Sequence, residues 1–296
     1  MLRSQHFDNA TLMRLASYAS VLTAFVLIAA KLIAWYLSDS ISILASLIDS
    51  SLDLLASLIN LLAIRHALQP ADKEHRFGHG KAEPLAALGQ SMFIAGSASM
   101  LLFQASGRIV NPQPLTSGIE LGVAVMLFSM LATMALLLFQ RFVIKKTKSS
   151  AIRADALHYK SDLLVNFSVI VALLLTQFGL IWFDPLMAIF IAVYVLFSAW
   201  NILRDAVDLL MDHEITEAER QQITQIVLKH PQVKGMHDLR TRRSGTTVFI
   251  QLHLELDAAF TLQQAHDVSD QVNQEIHTLF DEAEVMIHQD PIIVGN

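Results

Sequence analysis

The sequence contains no cysteine. Disulfides are therefore excluded, and thiol usage says nothing about redox compartment. Any metal site must be built from imidazole and carboxylate, a donor set that suits borderline and harder divalent ions better than copper(I). Charge is also scarce, at 16% of the 296 residues, where an average soluble domain carries about 25%. The shortage is concentrated in the first two thirds of a chain that is 53% hydrophobic. That points to an integral membrane protein rather than a large soluble core.

A basic footprint is missing as well. Residues 213–296 hold 13 Asp+Glu against 6 Lys+Arg, together with seven of the twelve histidines. Residues 1–212 are nearly balanced, with 15 Lys+Arg and 14 Asp+Glu. Nucleic acid demands the opposite sign of surface and is excluded as a partner; cations are compatible. The opening stretch MLRSQHFDNATLMRLASYAS lacks a short apolar core followed by a small-residue cleavage site, so no cleaved signal peptide is expected.

What is present is a series of apolar runs. Crossing a bilayer takes about 20 residues, and six runs qualify: 15–37, 41–66, 84–107, 118–141, 155–178 and 182–207. Arg65, Lys73, Arg76 and Lys81 surround the second connection. Arg141, Lys145, Lys146, Lys148 and Arg153 crowd the fourth. The other connections hold almost no base, Arg108 being the main exception. Positive charge stays on the cytoplasmic side, which predicts that both termini face the cytoplasm, as an even number of spans requires.

After Asp212 the pattern becomes that of a soluble domain. ITEAERQQITQIVLKHP reads as a helix capped by Thr216 with Glu219 three residues on. MHDLRTRRSGTTVFIQLHLELD reads as two strands joined at Ser244-Gly245, with Gln251, His253, Glu255 and Asp257 on a wet face and Leu252, Leu254 and Leu256 on a buried one. A helix over 261–280 and a strand in AEVMIHQDP follow. The expectation is a six-span transmembrane domain over 1–212 and a small cytosolic α+β domain over 213–296, with αββαβ order and ferredoxin-like, metallochaperone-type character.

Two short patterns carry chemistry. Asp49 and Asp53 are four residues apart in the second run, on one helix face, with Asn60 near the same stripe. In the fifth run His158, Asp162 and Asn166 repeat the spacing. One ionised acid at mid-bilayer costs roughly 2.5–3.5 kcal/mol on insertion scales, and Lys160 is the nearest base within either of these runs. A divalent cation would satisfy the three carboxylates and the imidazole together; hydrogen bonding among bundle side chains is the alternative. The loop ADKEHRFGHGK offers Asp72, His75 and His79, residues that polar loops often contain. In the tail, His288 and Asp290 share a strand face by their i,i+2 spacing. Taken singly, each tail histidine reads as a solvated surface residue.

Six spans, DSSLD in the second, HYKSD in the fifth and an α+β tail together resemble the cation diffusion facilitators over nearly the whole chain. QPADKEHRFGHGKAEPLAALGQSMF, RADALHYKSD and MIHQDP strengthen the likeness. The resemblance implies a homodimer in the bacterial inner membrane, embedded in lipid, that exports zinc and related divalent ions (Cd2+, Fe2+ or Mn2+) in exchange for protons. It assigns Asp49, Asp53, His158 and Asp162 to the transport site and Asp72, His75 and His79 to a loop site. It assigns His237, His253, His266, His288 and Asp290 to a cytosolic two-metal site, with Gln289 acting through a bound water. Lys81 and Asp212 become a charge interlock at the dimer. His213, His230 and His277 are read as surface residues.

Metal ligands must be deprotonated, so metal and protons can displace one another, and histidine, with an unperturbed pKa near 6.5, is the natural switch. No span carries H-E-x-x-H, the motif an intramembrane metalloprotease would use, so the chain is not expected to be an enzyme. A tail-only metal sensor would leave the intramembrane acids unexplained, and a channel would place its acids in exposed rings.

Overall fold

The computed structural model describes residues 8–38, 41–110, 120–176, 182–280 and 282–292. The outer ends of the fourth and fifth apolar runs, at 118–119 and 177–178, lie outside those residues, as do both chain termini. The chain forms two compact units. One comprises Met1–Gly78 and Ala82–Val207, the other His79–Lys81 and Asp208–Asn296. The break after Val207 falls slightly before the border expected at 212.

The first unit is helical: α1 (Asn9–Ser38), α2 (Ile41–Ala67), α3 (Ala82–Val110), α4 (Glu120–Thr147), α5 (Ser150–Thr176) and α6 (Phe183–Leu210). Among the described residues, five of these helices are long and apolar enough to cross a membrane, α5 being the exception. Its 27 residues would reach about 40 Å at 1.5 Å per residue, more than a hydrocarbon core needs. What lowers its hydropathy is Arg153, Asp155, Lys160 and Asp162 in its first half. The helix with the most chemistry is therefore the one least visible as a span.

Lipid gives helices no hydrophobic reason to associate, so small residues and polar contacts do that work. Ala87 and Ala98 of α3, Ala154 of α5, and Ala199 and Ala206 of α6 are almost wholly buried around Ile94, Leu157, Ile191 and Val195. Phe25, Phe103, Phe197 and Trp200 stay exposed on the outside of the unit, as a lipid-facing surface requires. Ion pairs close the layer. Arg108 of α3 meets Asp184 of α6 at 3.1 Å, and Arg153 of α5 meets Asp205 of α6 at 2.5 Å.

Buried polar contacts set the position of α5. Glu83, at the start of α3, accepts the Ser150 N–H at 2.7 Å and the Ser150 hydroxyl at 3.3 Å, capping the N-terminus of α5. Anions at that end also complement the helix dipole. One turn on, Asp155 accepts from Ser20 Oγ (2.6 Å, α1), Gln140 Nε2 (2.8 Å, α4) and Gln90 Nε2 (3.2 Å, α3). The Tyr159 hydroxyl donates to the Ser20 carbonyl at 3.2 Å and lies 2.8 Å from Ser57 Oγ of α2. With every neighbour attached, α5 can turn only one way, and His158 and Asp162 face α2.

The second unit contains α7 (Glu217–Lys229), β1 (Gly235–Ser244), β2 (Thr247–Asp257), α8 (Leu262–His277) and β3 (Ala283–Ile292), the α-β-β-α-β order read from the sequence. Thr216 and Glu219 form the expected capping box, and Thr261 with Gln264 forms a second. The sheet order is β1-β2-β3; β1 and β2 are antiparallel, and β2 and β3 parallel through the α8 crossover. A complete β-α-β-β-α-β ferredoxin-like arrangement would have a leading strand as well; the described sheet has three strands, and β2 pairs with β3 directly. Leu252, Leu254 and Leu256 bury against Ile223, Val227, Val268, Val272 and Ile276 of the two helices. The other sheet face is left for polar residues.

Gly80 belongs to this unit and lies flat against the β1–β2 turn. A Cβ there would sit 2.5 Å from the Ser244 carbonyl carbon and oxygen. Gly80→Ala should therefore destabilise the protein by about 1–3 kcal/mol through overpacking against backbone. Gly89→Ala on α3, where a Cβ meets nothing within 4 Å, should be neutral or stabilising. Thermal unfolding of the detergent-purified variants separates the two.

Candidate metal centres

The i,i+4 spacing on α2 and α5 produces a shared cluster where the helices face each other. His158 Nε2 lies 2.9 Å from Asp53 Oδ1 and 3.7 Å from Asp162 Oδ2. One ligand atom from each of Asp53, His158 and Asp162 falls within 4.8 Å of the others. A cavity of about 290 Å3 opens beside them, lined also by Asp49, Ser97, Ser161 and Asn166. Asp49 is exposed and stands outside the compact trio, so the four-ligand set expected from the sequence is observed as three plus one. Asp53 and Asp162 both approach His158 Nε2, whereas Asp49 lies at the cavity wall. Asn166 lines this cavity, whereas Asn60 lines a separate, largely apolar one between α2 and α3.

The cation nearest the acids is not Lys160. That lysine is turned about 200° from both His158 and Asp162 by its two-residue offset, and its Nζ bonds the Tyr194 hydroxyl at 2.5 Å. Lys31 of α1 lines the acid cavity in its place. One signal could have revealed it: Lys31 is the only charged residue in the 15–37 run, and an intramembrane base is a functional candidate by default.

In the tail, strand register does what helix spacing does in the membrane. His237 is paired with His253 across β1 and β2, and His253 with His288 across β2 and β3. The three imidazoles form a row on the face away from the helices, with ring centroids 5.0 and 4.6 Å apart. Asp290, two residues beyond His288, bridges them. Its Oδ2 lies 2.8 Å from His253 Nδ1 and 3.3 Å from His237 Nε2, and its Oδ1 lies 3.3 Å from His288 Nε2. The hydrogen bond from His253, with the neighbouring imidazoles, holds the Asp290 carboxyl below its ordinary value. Glu255 extends the group, 3.0 Å from His237 Nδ1. One ligand atom from each of His237, His253 and Asp290 falls within 4.8 Å of the others, a group that could hold a metal ion.

Three tail residues stand apart from this row. His266 lies on α8, 3.5 Å from Asp270, and is not among the residues brought to this row. Gln289 points to the opposite face and donates to Ser269 Oγ of α8 at 2.8 Å; period-2 alternation separates it from His288 and Asp290. His230, read as a surface residue, is buried and lies 2.9 Å from Gln271 Oε1.

In the loop after α2, Asp72 Oδ1 accepts the backbone N–H groups of Glu74 and His75 at 2.8 and 2.6 Å, and His75 Nδ1 lies 3.5 Å away. His79 is buried and belongs to the second unit. In that unit Lys81 Nζ and Asp212 Oδ1 are 2.9 Å apart, and Arg242 Nη1 is 3.3 Å from the same oxygen. Burial pushes the Asp212 carboxyl up, but hydrogen bonds and charge from Lys81 and Arg242 outweigh it and hold it below the usual range. The interlock partners thus meet within one chain.

Two family models match the chain. Residues 17–211 match the family model described as the cation efflux transmembrane domain, and residues 215–292 match that of the cation efflux protein cytoplasmic domain. The cation-efflux pump FieF of Shewanella oneidensis is 50% identical over 281 residues, 95% of this chain and 95% of that protein. FieF of Serratia proteamaculans is 47% identical over 285 residues, 96% of this chain and 95% of the relative. FieF of Pectobacterium atrosepticum is 48% identical over 283 residues, covering 96% and 94%.

The row of imidazoles makes a ranking. In an Asp53→Ala background, His253→Ala and Asp290→Ala should each weaken zinc binding to the full chain by about tenfold or more. His266→Ala should weaken it less. Isothermal titration reads the order directly.

Proposed function

This chain belongs to the cation efflux family, and on that premise we propose that it expels zinc and related divalent ions, Cd2+, Fe2+ or Mn2+ among them, in exchange for protons. It is a cation efflux transporter with membrane-spanning helices, of a family of transporters. The observation that carries the proton coupling is the 2.9 Å contact between His158 Nε2 and Asp53 Oδ1. A nitrogen and an oxygen so close need a proton between them. A metal ion on Nε2 needs the lone pair that this proton occupies, so metal and proton compete for the same nitrogen.

Asp53, His158 and Asp162 hold the ion in this reading, and Asp49 swings in from the cavity wall. Access alternates as the helices rock about a fixed site, exposing the cavity first to the cytoplasm and then to the far side. Three carboxylates with one imidazole tolerate several borderline ions rather than selecting zinc alone.

The tail row of His237, His253 and His288 around Asp290 binds two ions, with His266 as an outer candidate. Their positive charge offsets the acidic surplus of the tail and supports a homodimer. Asp72, His75 and His79 are candidate ligands of a weaker loop site, and Lys81 with Asp212 locks the second unit near the dimer. The protein sits in the bacterial inner membrane with both termini in the cytoplasm.

Reconstituted liposomes with an imposed pH gradient and a zinc-sensitive dye test this. Wild type should move zinc in proportion to the gradient, while Asp53→Ala and His158→Ala fall close to the rate of empty vesicles. Zinc flux indifferent to the gradient would rule out antiport, and full activity in both variants would rule out the site.

A further inference from the structure

Lys31 Nζ donates to the Ser46 carbonyl at 3.1 Å and to the Ser50 hydroxyl at 2.6 Å, both on α2. These positions bracket Asp49. The side chain lines the same cavity as Asp49, Asp53, His158 and Asp162. Both acceptors are neutral, so this tether holds a cation beside the acids without occupying a carboxylate. An ammonium has three donors and no lone pair. It cannot ligate a metal, and its charge opposes one.

The charges combine simply. Three carboxylates and one ammonium, with neutral imidazole, give the cavity a formal charge of −2. One divalent ion brings it to zero. Without Lys31 the acids alone carry −3, and a bound divalent ion leaves an uncompensated negative charge that holds it more tightly. We propose that Lys31 is a fixed counter-charge of the transport cavity that weakens metal retention, so that a bound divalent ion can leave. This rests on the transport-site reading above.

Zinc titration of the purified full chain, in a His237→Ala, His253→Ala, His288→Ala and Asp290→Ala background that removes the tail donors, tests the affinity. Proteoliposome efflux under a pH gradient tests the rate. Lys31→Met and Lys31→Gln should each bind zinc about tenfold tighter or more and export it more slowly, and Lys31→Arg should stay near the parent. Gln keeps a donor for Ser46 and Ser50 but not the charge. If Met and Gln bind no tighter than the parent, or if only Met differs, Lys31 is a tether and the proposal is overturned. An Asp53→Ala arm separates the two ideas. If it binds zinc like the parent, the transport-site reading itself has failed; if it loses binding while the lysine variants do not tighten, the counter-charge alone has failed.

Discussion

An ionised carboxylate inside a membrane domain is costly unless a proton, a cation or a hydrated cavity offsets its charge. Asp53 and His158 meet that demand across α2 and α5, and much of the first unit serves to keep them opposed. Glu83 caps α5, Asp155 ties it to α1, α3 and α4, and Tyr159 ties it to α1 and α2. Asp155 and Tyr159 lie on the same side of α5 as His158 and Asp162, but their polar atoms are taken up by Ser20, Gln90, Gln140 and Ser57. The metal-facing residues are thus positioned by polar contacts that do not compete for the metal.

The tail solves the same chemical problem in another medium. There the donors are solvent-accessible, and aqueous solvation lifts the penalty for leaving them charged. Precision comes from the sheet: three histidines at one register level on three strands, and a carboxylate two residues along that reaches all of them. The leucines that alternate with His253 and Glu255 bury against α7 and α8. Helix period in one unit and strand period in the other yield clusters of the same kind, imidazole beside carboxylate.

Much of this was legible in the residues. The apolar runs located the helices, the capping box at Thr216 marked the start of α7, and alternation in QLHLELD assigned the two faces of β2 correctly. Local periodicity is readable because it depends only on bond geometry. Lys31 escaped because its partners lie 15 and 19 residues away on another helix. Glu83 escaped because an acid at a helix start reads as a solvated first-turn residue, whereas here it is buried and caps a helix 67 residues later. The ferredoxin-like expectation named a broader architecture than the three described strands form, since strand order depends on pairing across the sheet.

The sequence by itself determined which residue types could hold a metal and which of them share a face, since thiols are absent and i,i+4 and i,i+2 spacings are properties of one helix or one strand. Only the tertiary structure decided which faces meet. It joined Asp53 to His158 and Asp162 while leaving Asp49 at the cavity wall, left His266 on α8, and brought a lysine from α1 among the acids. Those outcomes depend on the rotation of α5 and on strand register, which are set by contacts between residues far apart in the chain.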